Sequence, residues 1–273
     1  MAALKKKSRK KSPVYLSKMF WIILSIFICM LTIYRFKENI LYYLSFKSHK
    51  TELNDVVYAR RNELVLSENI SKTFGIDVSH YQGEINWNKV KFINNEDYPI
   101  KFAFIRATQG CDKRDIQFAN NWNNCKKRKI IRGAYHYYRP NENSLEQAEN
   151  FIKNVRLSKG DLPPVLDIEK LPKNQSVDNL KLGLRRFLNK IEQHYKVQPI
   201  IYSGERYYQD FLKDEFSEYQ FWIANYNFID ADINDDYLIW QFTEHAKIKG
   251  ISENVDVNIF NGNVDDLNQL RID

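Results

Sequence analysis

Residues 164–169 read PVLDIE, a short apolar run that ends in two acidic side chains. Short apolar runs rich in β-branched residues are typical of buried strands. The stretch 177–195 follows and repeats its apolar residues with helical spacing. A strand followed by a long amphipathic helix is the building unit of a parallel sheet, so this stretch indicates the fold class of the chain around it.

The same alternation continues on both sides of this unit. Predicted strands cover 74–78, 102–107, 133–137, 164–168, 199–202, 221–224, 238–242 and 255–259. Predicted helices cover 115–128, 144–155 and 177–195, and Ser144 with Gln147 fits a capping box at the start of the second. Eight strands with fewer helices predict an α/β fold, an irregular TIM-like β/α barrel with incomplete outer helices. An open doubly wound sheet is the competing arrangement.

The N-terminal part of the chain differs from the rest in charge. Residues 1–72 contain 14 Lys/Arg and 5 Asp/Glu, whereas residues 73–273 contain 27 and 29. The net charge of +7 therefore comes from the N-terminal segment and not from the predicted folded body. A nucleic-acid-binding domain would carry its positive charge on one face of the folded body, so the sequence does not favour a nucleic acid as partner.

The N-terminal segment has the pattern of a membrane anchor. Residues 1–18 are rich in Lys and Arg and predict a cytoplasmic tail, and residues 19–36 contain a long apolar run and predict a transmembrane signal anchor. A cleaved signal peptide is the alternative, but 31–34 lacks the small residues of a cleavage site. Residues 37–72 predict a stalk or linker. The body, 73–273, is then expected on the non-cytoplasmic side of a single-pass membrane protein.

Cysteine and histidine spacing does not indicate a structural metal site. The three cysteines are Cys29, Cys111 and Cys125, and none belongs to a pair or cluster with zinc-binding spacing. Cys111 and Cys125 are either free thiols or, in an oxidising compartment, a disulfide. The sequence implies no cofactor.

Acidic residues recur where predicted strands end, which is where a barrel places its active site. They are Asp77, Asp167 and Glu169, and the last predicted strand carries a further acid, Asp256. Alternate residues of a strand share a face, so Asp167 and Glu169 are expected to point the same way. We expect the longer Glu169 to hold a proton as general acid and the three aspartates to stay largely ionised. Their spacing leaves inverting and retaining chemistry open.

Aromatic and polar side chains on or just past the strands predict a sugar-binding cleft, because aromatic rings stack on the apolar faces of sugars. The candidate substrate-binding residues are Tyr81, Tyr135, Tyr137, Tyr202, Trp222, Asn225, Tyr226, Trp240 and Gln241. For Arg106 we expect a supporting role beside a carboxylate. His136 is expected to be a hydrogen-bonded structural histidine, with catalysis as the alternative.

With these residues assembled, the chain resembles glycoside hydrolase family 25, the muramidase or lysozyme family. The matching motifs occur in the family's order: GIDVS at 75–79, FAFIRATQG at 102–110, GAYH at 133–136, PVLDIE at 164–169, WIANY at 222–226, WQ at 240–241 and VDVN at 255–258. Asn86 and Arg106 stand where the family often has Asp and Lys.

The resemblance implies that 73–273 is a catalytic domain that cleaves the β-1,4 bond between N-acetylmuramic acid and N-acetylglucosamine of peptidoglycan. It also implies that Asp77, Asp167, Glu169 and Asp256 form the catalytic acid set, with Glu169 as proton donor. Whether Asp167 activates water or assists the acetamido group of the substrate stays open.

Three other functions compete with this interpretation. Chitinase-like glycosidases are one, although they typically have an Asp where this chain has Val165. A non-catalytic, membrane-tethered peptidoglycan-binding protein is the second, and a displayed scaffold is the third. The sequence leaves open whether the chain's own or a foreign cell wall is the target, how the protein is regulated and which oligomeric state it has.

Overall fold

The computed structural model describes residues 13–35, 55–94, 97–229 and 231–273. The chain forms two compact units, 1–52 and 53–273. In the first, helix α1 spans Pro13–Arg35 and contains most of the predicted anchor. Among the helices of the described ranges, however, none meets both the length and the hydropathy that a membrane crossing requires. The predicted transmembrane helix at 19–36 is therefore not supported. Residues 1–12 of the predicted tail and 37–54 of the predicted stalk lie outside the described residues.

A closed barrel of eight strands forms the second unit. Its strands are β1 (Thr73–Val78), β3 (Tyr98–Gln109), β5 (Ile131–Tyr137), β6 (Val165–Asp167), β7 (Ile200–Gly204), β8 (Gln220–Ala224), β9 (Ile239–Ala246) and β10 (Val255–Phe260). The strand order runs β1-β10-β9-β8-β7-β6-β5-β3, and parallel pairing of β3 with β1 closes the circle. The short strands β2 (Phe92–Ile93) and β4 (Lys113–Arg114) pair only with β3. The predicted barrel is confirmed, and the open sheet is excluded.

The barrel is irregular, as predicted. Strand β10 runs antiparallel to both neighbours, whereas the pairs from β3 through β9 are parallel. The helices of this unit are α2 (Asp55–Glu68), a 3₁₀ turn (His80–Gln82), α3 (Phe118–Lys127), α4 (Ser144–Asn154), α5 (Val177–Tyr195), α6 (Glu205–Tyr207) with a π turn (Tyr208–Leu212), and α7 (Val264–Gln269). In the described residues between β8 and β10 there is no helix, so the outer layer is incomplete.

Helix α4 starts at Ser144 as predicted, but its cap differs from the prediction. Asn143 caps this helix, and its Oδ1 accepts hydrogen bonds from the backbone N–H of Leu145 (2.9 Å) and of Glu146 (3.4 Å). The predicted capping box of Ser144 and Gln147 is therefore wrong. Gln147 is fully buried instead, and its Oε1 accepts from the backbone N–H of Arg139 at 2.8 Å.

Helix α2 occupies the last part of the predicted stalk and belongs to the same compact unit as the barrel. Its Val65 and Leu66 have no exposed surface and join the core between the barrel and its outer helices. This part of the predicted stalk is packed structure and not a linker, because a helix in a protein is stabilised by burying apolar side chains against its neighbours.

Strand alternation decides which side chains enter the barrel. Phe102 and Phe104 of β3 point inward and form an interior cluster with Trp222, whose ring stacks on Phe104 with a centroid distance of 4.8 Å. Neighbouring strands leave room for these rings with Gly75 and Gly133, where an added Cβ would lie 2.4 Å or less from a phenylalanine ring atom. This cluster fills the barrel below the polar residues, so the open cleft lies at one end.

Candidate active site

The predicted acids meet because every second residue of a strand faces the barrel interior. Asp77 follows Gly75 on the inner face of β1, and Asp167 ends β6. Asp256 lies opposite Asp77 in the antiparallel pair of β1 and β10. The carboxyl end of β1 and the amino end of β10 thus lie at the same end of the barrel.

A cleft of about 370 Å³ opens at this end. Twelve sequence-predicted site residues line it: Asp77, Tyr81, Arg106, Tyr135, Tyr137, Asp167, Glu169, Tyr202, Trp222, Tyr226, Gln241 and Asp256. The lining also includes Ser79, Gln82, Gln109, Lys170 and Glu244, which the sequence analysis did not single out as site residues. Glu244 is a fifth acid in the cleft, and the predicted strand 238–242 ended two residues before it, whereas β9 continues to Ala246.

Two amide side chains hold the Asp77 carboxylate. Gln241 Nε2 donates to Asp77 Oδ2 at 2.7 Å, and Asn258 Nδ2 donates to the same oxygen at 2.8 Å. Both amides are held in turn: the Tyr202 hydroxyl donates to Gln241 Oε1 at 2.8 Å, and Trp222 Nε1 donates to Asn258 Oδ1 at 2.8 Å. The orientation of Asp77 is therefore fixed by a buried network, and the network determines which oxygen remains for other partners.

Asp77 and Asp256 form a hydrogen-bonded pair of carboxyl groups. Burial raises the pKa of Asp77 to about 6, although the hydrogen bonds from Asn258 and Gln241 oppose that rise. Burial and the charge of Asp77 hold the pKa of Asp256 well above its ordinary value. Two adjacent carboxyls avoid carrying two negative charges. The hydrogen bond between the two groups lowers the pKa of Asp77 and raises that of Asp256, so Asp256 is the member of the pair that holds its proton more tightly.

Asp167 is buried and is incompletely bonded. It is 4 % exposed, and within the described residues its Oδ1 has no hydrogen-bond partner. Burial holds its pKa well above the ordinary value, and the charges of Glu169 and Asp77 add to the rise. A buried polar atom without a partner is uncommon in proteins, so this oxygen is positioned for a group that enters the cleft.

Glu169 lies two residues past the end of β6, at the mouth of the cleft. Its side chain is exposed to solvent, unlike Asp167, because the chain leaves the strand after that residue. The surrounding protein walls raise the pKa of Glu169 by desolvation, and the neighbouring Lys170 opposes the rise. Glu169 is thus the acid of the set that a large substrate reaches first.

The directions of the pKa shifts do not separate the roles expected of the acids. The pKa of Glu169 is raised, as predicted for a general acid. The pKa values of Asp77, Asp167 and Asp256 are raised as well, so the division into a protonated glutamate and three largely ionised aspartates stays a prediction. The shared cause is burial, which favours the neutral form of each of these four carboxyl groups.

The aromatic residues form the floor and the rim of the cleft. Trp222 and Tyr202 are buried at its floor, with their ring centroids 4.7 Å apart. Tyr226 donates a hydrogen bond to Gln241 Oε1, beside Tyr202.

At the rim of the cleft, Tyr81 is 71 % exposed, and Lys170 Nζ lies 5.6 Å from the centroid of the Tyr137 ring. The exposed Tyr81 ring offers a flat apolar surface of the kind on which sugars stack.

Three predicted residues do not line the cleft. Trp240 neighbours Gln241 on β9 and therefore points to the outer face, where its Nε1 donates to the backbone oxygen of Asn225 at 2.8 Å. The Asn225 side chain accepts from the backbone N–H of Asn227 in a local turn. Strand alternation also places His136 on the outer face, between inward-facing Tyr135 and Tyr137.

His136 has the structural role that was expected. Its Nδ1 lies 2.7 Å from Thr108 Oγ1 and its Nε2 lies 3.2 Å from Gln147 Oε1, so both ring nitrogens are engaged. Burial lowers its pKa to about 4. The imidazole is therefore neutral at physiological pH and lies behind the barrel wall.

Arg106 is held by an acid that the sequence analysis did not identify as a partner. Its Nε donates to Asp115 Oδ2 at 3.1 Å, and the same oxygen accepts from the backbone N–H of His80 at 2.9 Å. Asp115 is buried and lies just after β4. The Arg106 guanidinium also lies 4.9 Å from the centroid of the Tyr81 ring, so this network positions the rim. The predicted pairing of Arg106 with a carboxylate is confirmed.

Cys111 and Cys125 do not pair. Both are free thiols, with Cys125 buried in the core and Cys111 partly exposed near Glu142. The sequence left free thiols or a disulfide open, and the structure shows free thiols.

Known proteins resemble this chain over the barrel. The model of the glycosyl hydrolases of family 25 matches residues 76–251. YegX, an uncharacterized protein of Escherichia coli strain K12, is 37% identical over 196 residues, which are 71% of this chain and 71% of YegX. Lysozyme M1 of Streptomyces globisporus is 33% identical over 203 residues, which are 69% of this chain and 67% of that lysozyme.

Similarity extends to solved structures. The structure of a family 25 glycosyl hydrolase from Bacillus anthracis superposes with a TM-score of 0.66 at 29% sequence identity. The match covers 75% of this chain and 95% of that protein. The chain thus shares its fold with a family 25 glycosyl hydrolase and is similar in sequence to a lysozyme.

Proposed function

Since the chain belongs to the glycosyl hydrolases of family 25, we propose that it hydrolyses peptidoglycan. The bond we assign is the β-1,4 linkage between N-acetylmuramic acid and N-acetylglucosamine, which would make the enzyme a muramidase. One observation carries this assignment. Four carboxyl groups from three distant parts of the chain converge in a single cleft, with one of them exposed at its mouth.

Glu169 is the proton donor in this proposal. Its raised pKa keeps the carboxyl protonated to a higher pH than that of an ordinary glutamate. Its exposed position allows contact with a glycosidic oxygen of a glycan strand in the cleft. As the bond between the sugar carbon and that oxygen breaks, the proton of Glu169 moves to the departing oxygen, and addition of water completes hydrolysis.

Asp167 acts at the anomeric carbon in this proposal. Its unpartnered Oδ1 is available to accept a hydrogen bond either from an attacking water or from the acetamido N–H of the substrate. Direct attack by water would invert the configuration at the anomeric carbon, whereas attack by the acetamido oxygen followed by water would retain it. The configuration of the first-formed product therefore distinguishes the two routes.

Asp77 supplies negative charge near the reacting sugar in this proposal, with Asp256 hydrogen-bonded beside it. Because Gln241 and Asn258 fix the Asp77 carboxylate, its charge does not need to reorient when positive charge develops on the sugar ring. Fixed charges in a cleft stabilise a transition state more than mobile ones in water do.

The decisive experiment compares the wild-type chain with Glu169→Gln on purified peptidoglycan. Released fragments are identified by mass spectrometry after borohydride reduction. We expect reducing-end N-acetylmuramic acid from the wild type and a loss of about 10²–10⁴-fold in rate for the variant, because general acid catalysis typically contributes that much. The matched control is Glu253→Gln, an exposed acid that does not line the cleft, and it should keep full activity.

Other outcomes would contradict the proposal in different ways. Reducing-end N-acetylglucosamine would identify a different bond. Cleavage of chitin oligomers but not of peptidoglycan would favour the chitinase-like alternative. Binding to insoluble peptidoglycan with no release of fragments would favour a non-catalytic binding protein.

The compartment in which the enzyme works is a separate proposal. Peptidoglycan lies outside the cytoplasmic membrane, so we place the barrel on the non-cytoplasmic side. Protease added to intact spheroplasts should then degrade residues 53–273, and their protection would contradict this placement.

A further inference from the structure

Helix α2 lies outside the residues that match the family model, yet it contacts the segments that form one wall of the cleft. These segments are the first part of the β8–β9 loop, 225–229, and strand β9. Tyr58 stacks on His245 of β9 with a centroid distance of 3.9 Å, and its ring also lies 5.6 Å from that of Phe228 in the loop. Asn69, just after the helix, donates to the backbone oxygen of Ala231 at 2.8 Å.

Arg61 joins these two segments directly. It is 7 % exposed, its Nε donates to the backbone oxygen of Asn227 at 2.9 Å, and its Nη1 donates to the backbone oxygen of Phe242 at 2.6 Å. The guanidinium also lies 5.3 Å from the centroid of the Phe228 ring. A planar guanidinium presents its donors to two carbonyls in a fixed fork, whereas the three donors of a lysine ammonium rotate.

Both carbonyls neighbour residues of the catalytic network. Asn227 follows Tyr226, whose hydroxyl donates to Gln241 Oε1, and Phe242 follows Gln241. Gln241 in turn donates to Asp77 Oδ2 at 2.7 Å. Arg61 thus binds the backbone of the two residues that directly follow Tyr226 and Gln241, the groups that orient a carboxylate of the cleft.

We propose that Arg61 is a positioning residue of the active site. By joining the loop to β9, it sets the distance between the Tyr226 hydroxyl and the Gln241 amide. Through that amide it orients the Asp77 carboxylate, although Arg61 itself lies outside the cleft. This inference rests on the proposed glycosidase function for its effect on rate, but the contact between loop and strand is testable without any substrate.

A double-mutant cycle on the full chain tests the proposal. Arg61→Met keeps the apolar stem and removes the donors, and Tyr226→Phe removes the hydroxyl. We expect each single variant to lower kcat about tenfold at temperatures well below its melting point, since small misplacements of catalytic groups are costly. Because both changes break the same linkage, the double variant should be no slower than the slower single variant.

Arg60→Met is the matched control, because Arg60 is the exposed neighbour on the same helix. Its effect on kcat should be less than twofold and should multiply with that of Tyr226→Phe. Multiplying effects of Arg61→Met and Tyr226→Phe would overturn the proposal, as would an unchanged kcat in Arg61→Met. If Arg61→Met does not fold, Arg61→Lys replaces it in the cycle, with a smaller but still non-multiplying loss.

Hydrogen exchange separates this inference from the proposed function. The backbone N–H of Asn225 donates to the backbone oxygen of Gln241 at 3.1 Å, so its exchange rate reports on the joint between loop and strand. We expect at least tenfold faster exchange over 225–229 in Arg61→Met than in Arg60→Met. Equal rates would refute the role of Arg61 even in an active enzyme. Faster exchange in a protein that cleaves no glycan would support the role of Arg61 in holding the loop on β9 and would refute the proposed function.

Discussion

At the scale of single residues, the acids of the cleft differ in their access to water. Asp167 is enclosed at the end of its strand, whereas Glu169, two residues later, is exposed at the cleft mouth. Lys170 follows and carries a positive charge that opposes the rise in the pKa of Glu169. The lysine therefore influences the highest pH at which a donor carboxyl still holds its proton.

Lys170→Met should move the alkaline limb of the pH–rate profile to higher pH. Burial raises the pKa of Glu169 and Lys170 lowers it, so removing the positive charge leaves the acid protonated over a wider range. The measurement is kcat/KM against pH, with Lys173→Met as control because Lys173 is exposed and does not line the cleft. A limb that stays in place or moves to lower pH would disprove the effect.

Asp77→Asn should stabilise the protein at neutral pH while impairing catalysis. Burial raises the pKa of Asp77 from 3.8 to about 6 in the folded state, so the folded protein binds this proton more tightly than the unfolded chain does. The stabilisation of the folded state by proton binding at Asp77 is therefore fully present below about pH 4 and is lost as the pH rises through about 6.

The asparagine side chain does not titrate. The free energy of unfolding of Asp77→Asn should therefore exceed that of the wild type by about 3 kcal/mol at most at pH 7, and the difference should vanish near pH 4. Melting temperatures of wild type and variant across this range measure the difference. Asp112→Asn, at an exposed aspartate, should show no such pH-dependent gain. A variant that is less stable than the wild type at pH 7 would show that the amide network cannot accept asparagine.

At the scale of elements, the barrel depends on glycine where its neighbour is large. Gly133 of β5 faces Phe104 of β3, and an added Cβ would lie 2.2 Å from a ring atom of that phenylalanine. Phe104 also stacks on Trp222 at the floor of the cleft, so the ring cannot shift without disturbing the site. Small and large residues therefore alternate around the interior for steric reasons.

Gly133→Ala should lower the free energy of unfolding by about 1–3 kcal/mol, since overpacking a filled interior typically costs that much. Gly204→Ala is the control, because no atom lies within 4 Å of an added Cβ and its φ of −69° suits any residue. Urea unfolding curves of both variants test this. Equal free energies of unfolding for the two variants would show that the Phe104 ring can move away from the added methyl group without loss of stability.

At the scale of the whole molecule, the folded unit begins before the barrel. Helix α2 places Val65 and Leu66 in the core and Arg61 against the cleft wall. A chain that starts at residue 73 would expose the surface that these side chains cover. Burying each aliphatic side chain contributes about 1.5–3 kcal/mol, which is a large share of the stability of an ordinary domain.

Leu66→Ala should destabilise the full chain by about 2–5 kcal/mol, the usual range for a buried leucine. Leu64→Ala, on the same helix but half exposed, should change stability by no more than about 0.5 kcal/mol. Thermal unfolding followed by circular dichroism compares them. Similar melting temperatures for the two variants would mean that α2 does not fold with the barrel.

Local pattern was enough to predict the barrel strands and most of the cleft. Alternation along β5 and β6 places Tyr135, Tyr137 and Asp167 inside, because successive side chains of a strand point to opposite faces. The same rule, applied strictly, would have excluded Trp240 once Gln241 was assigned to the cleft. The cap of α4 was misassigned because Asn143 and Ser144 are both good caps, and only the chain path into the helix selects between them.

The sequence by itself determined the order of strands and helices, the acids at the strand ends and the family, since these depend on residues close together in the chain. Only the tertiary structure decided that Asp256 binds Asp77, that Asp115 holds Arg106 and that α2 braces the wall containing Tyr226. These contacts join segments far apart in the sequence. Each of these residues finds its partner because buried polar groups must be hydrogen-bonded or paired. Which groups are buried is defined only when the barrel closes.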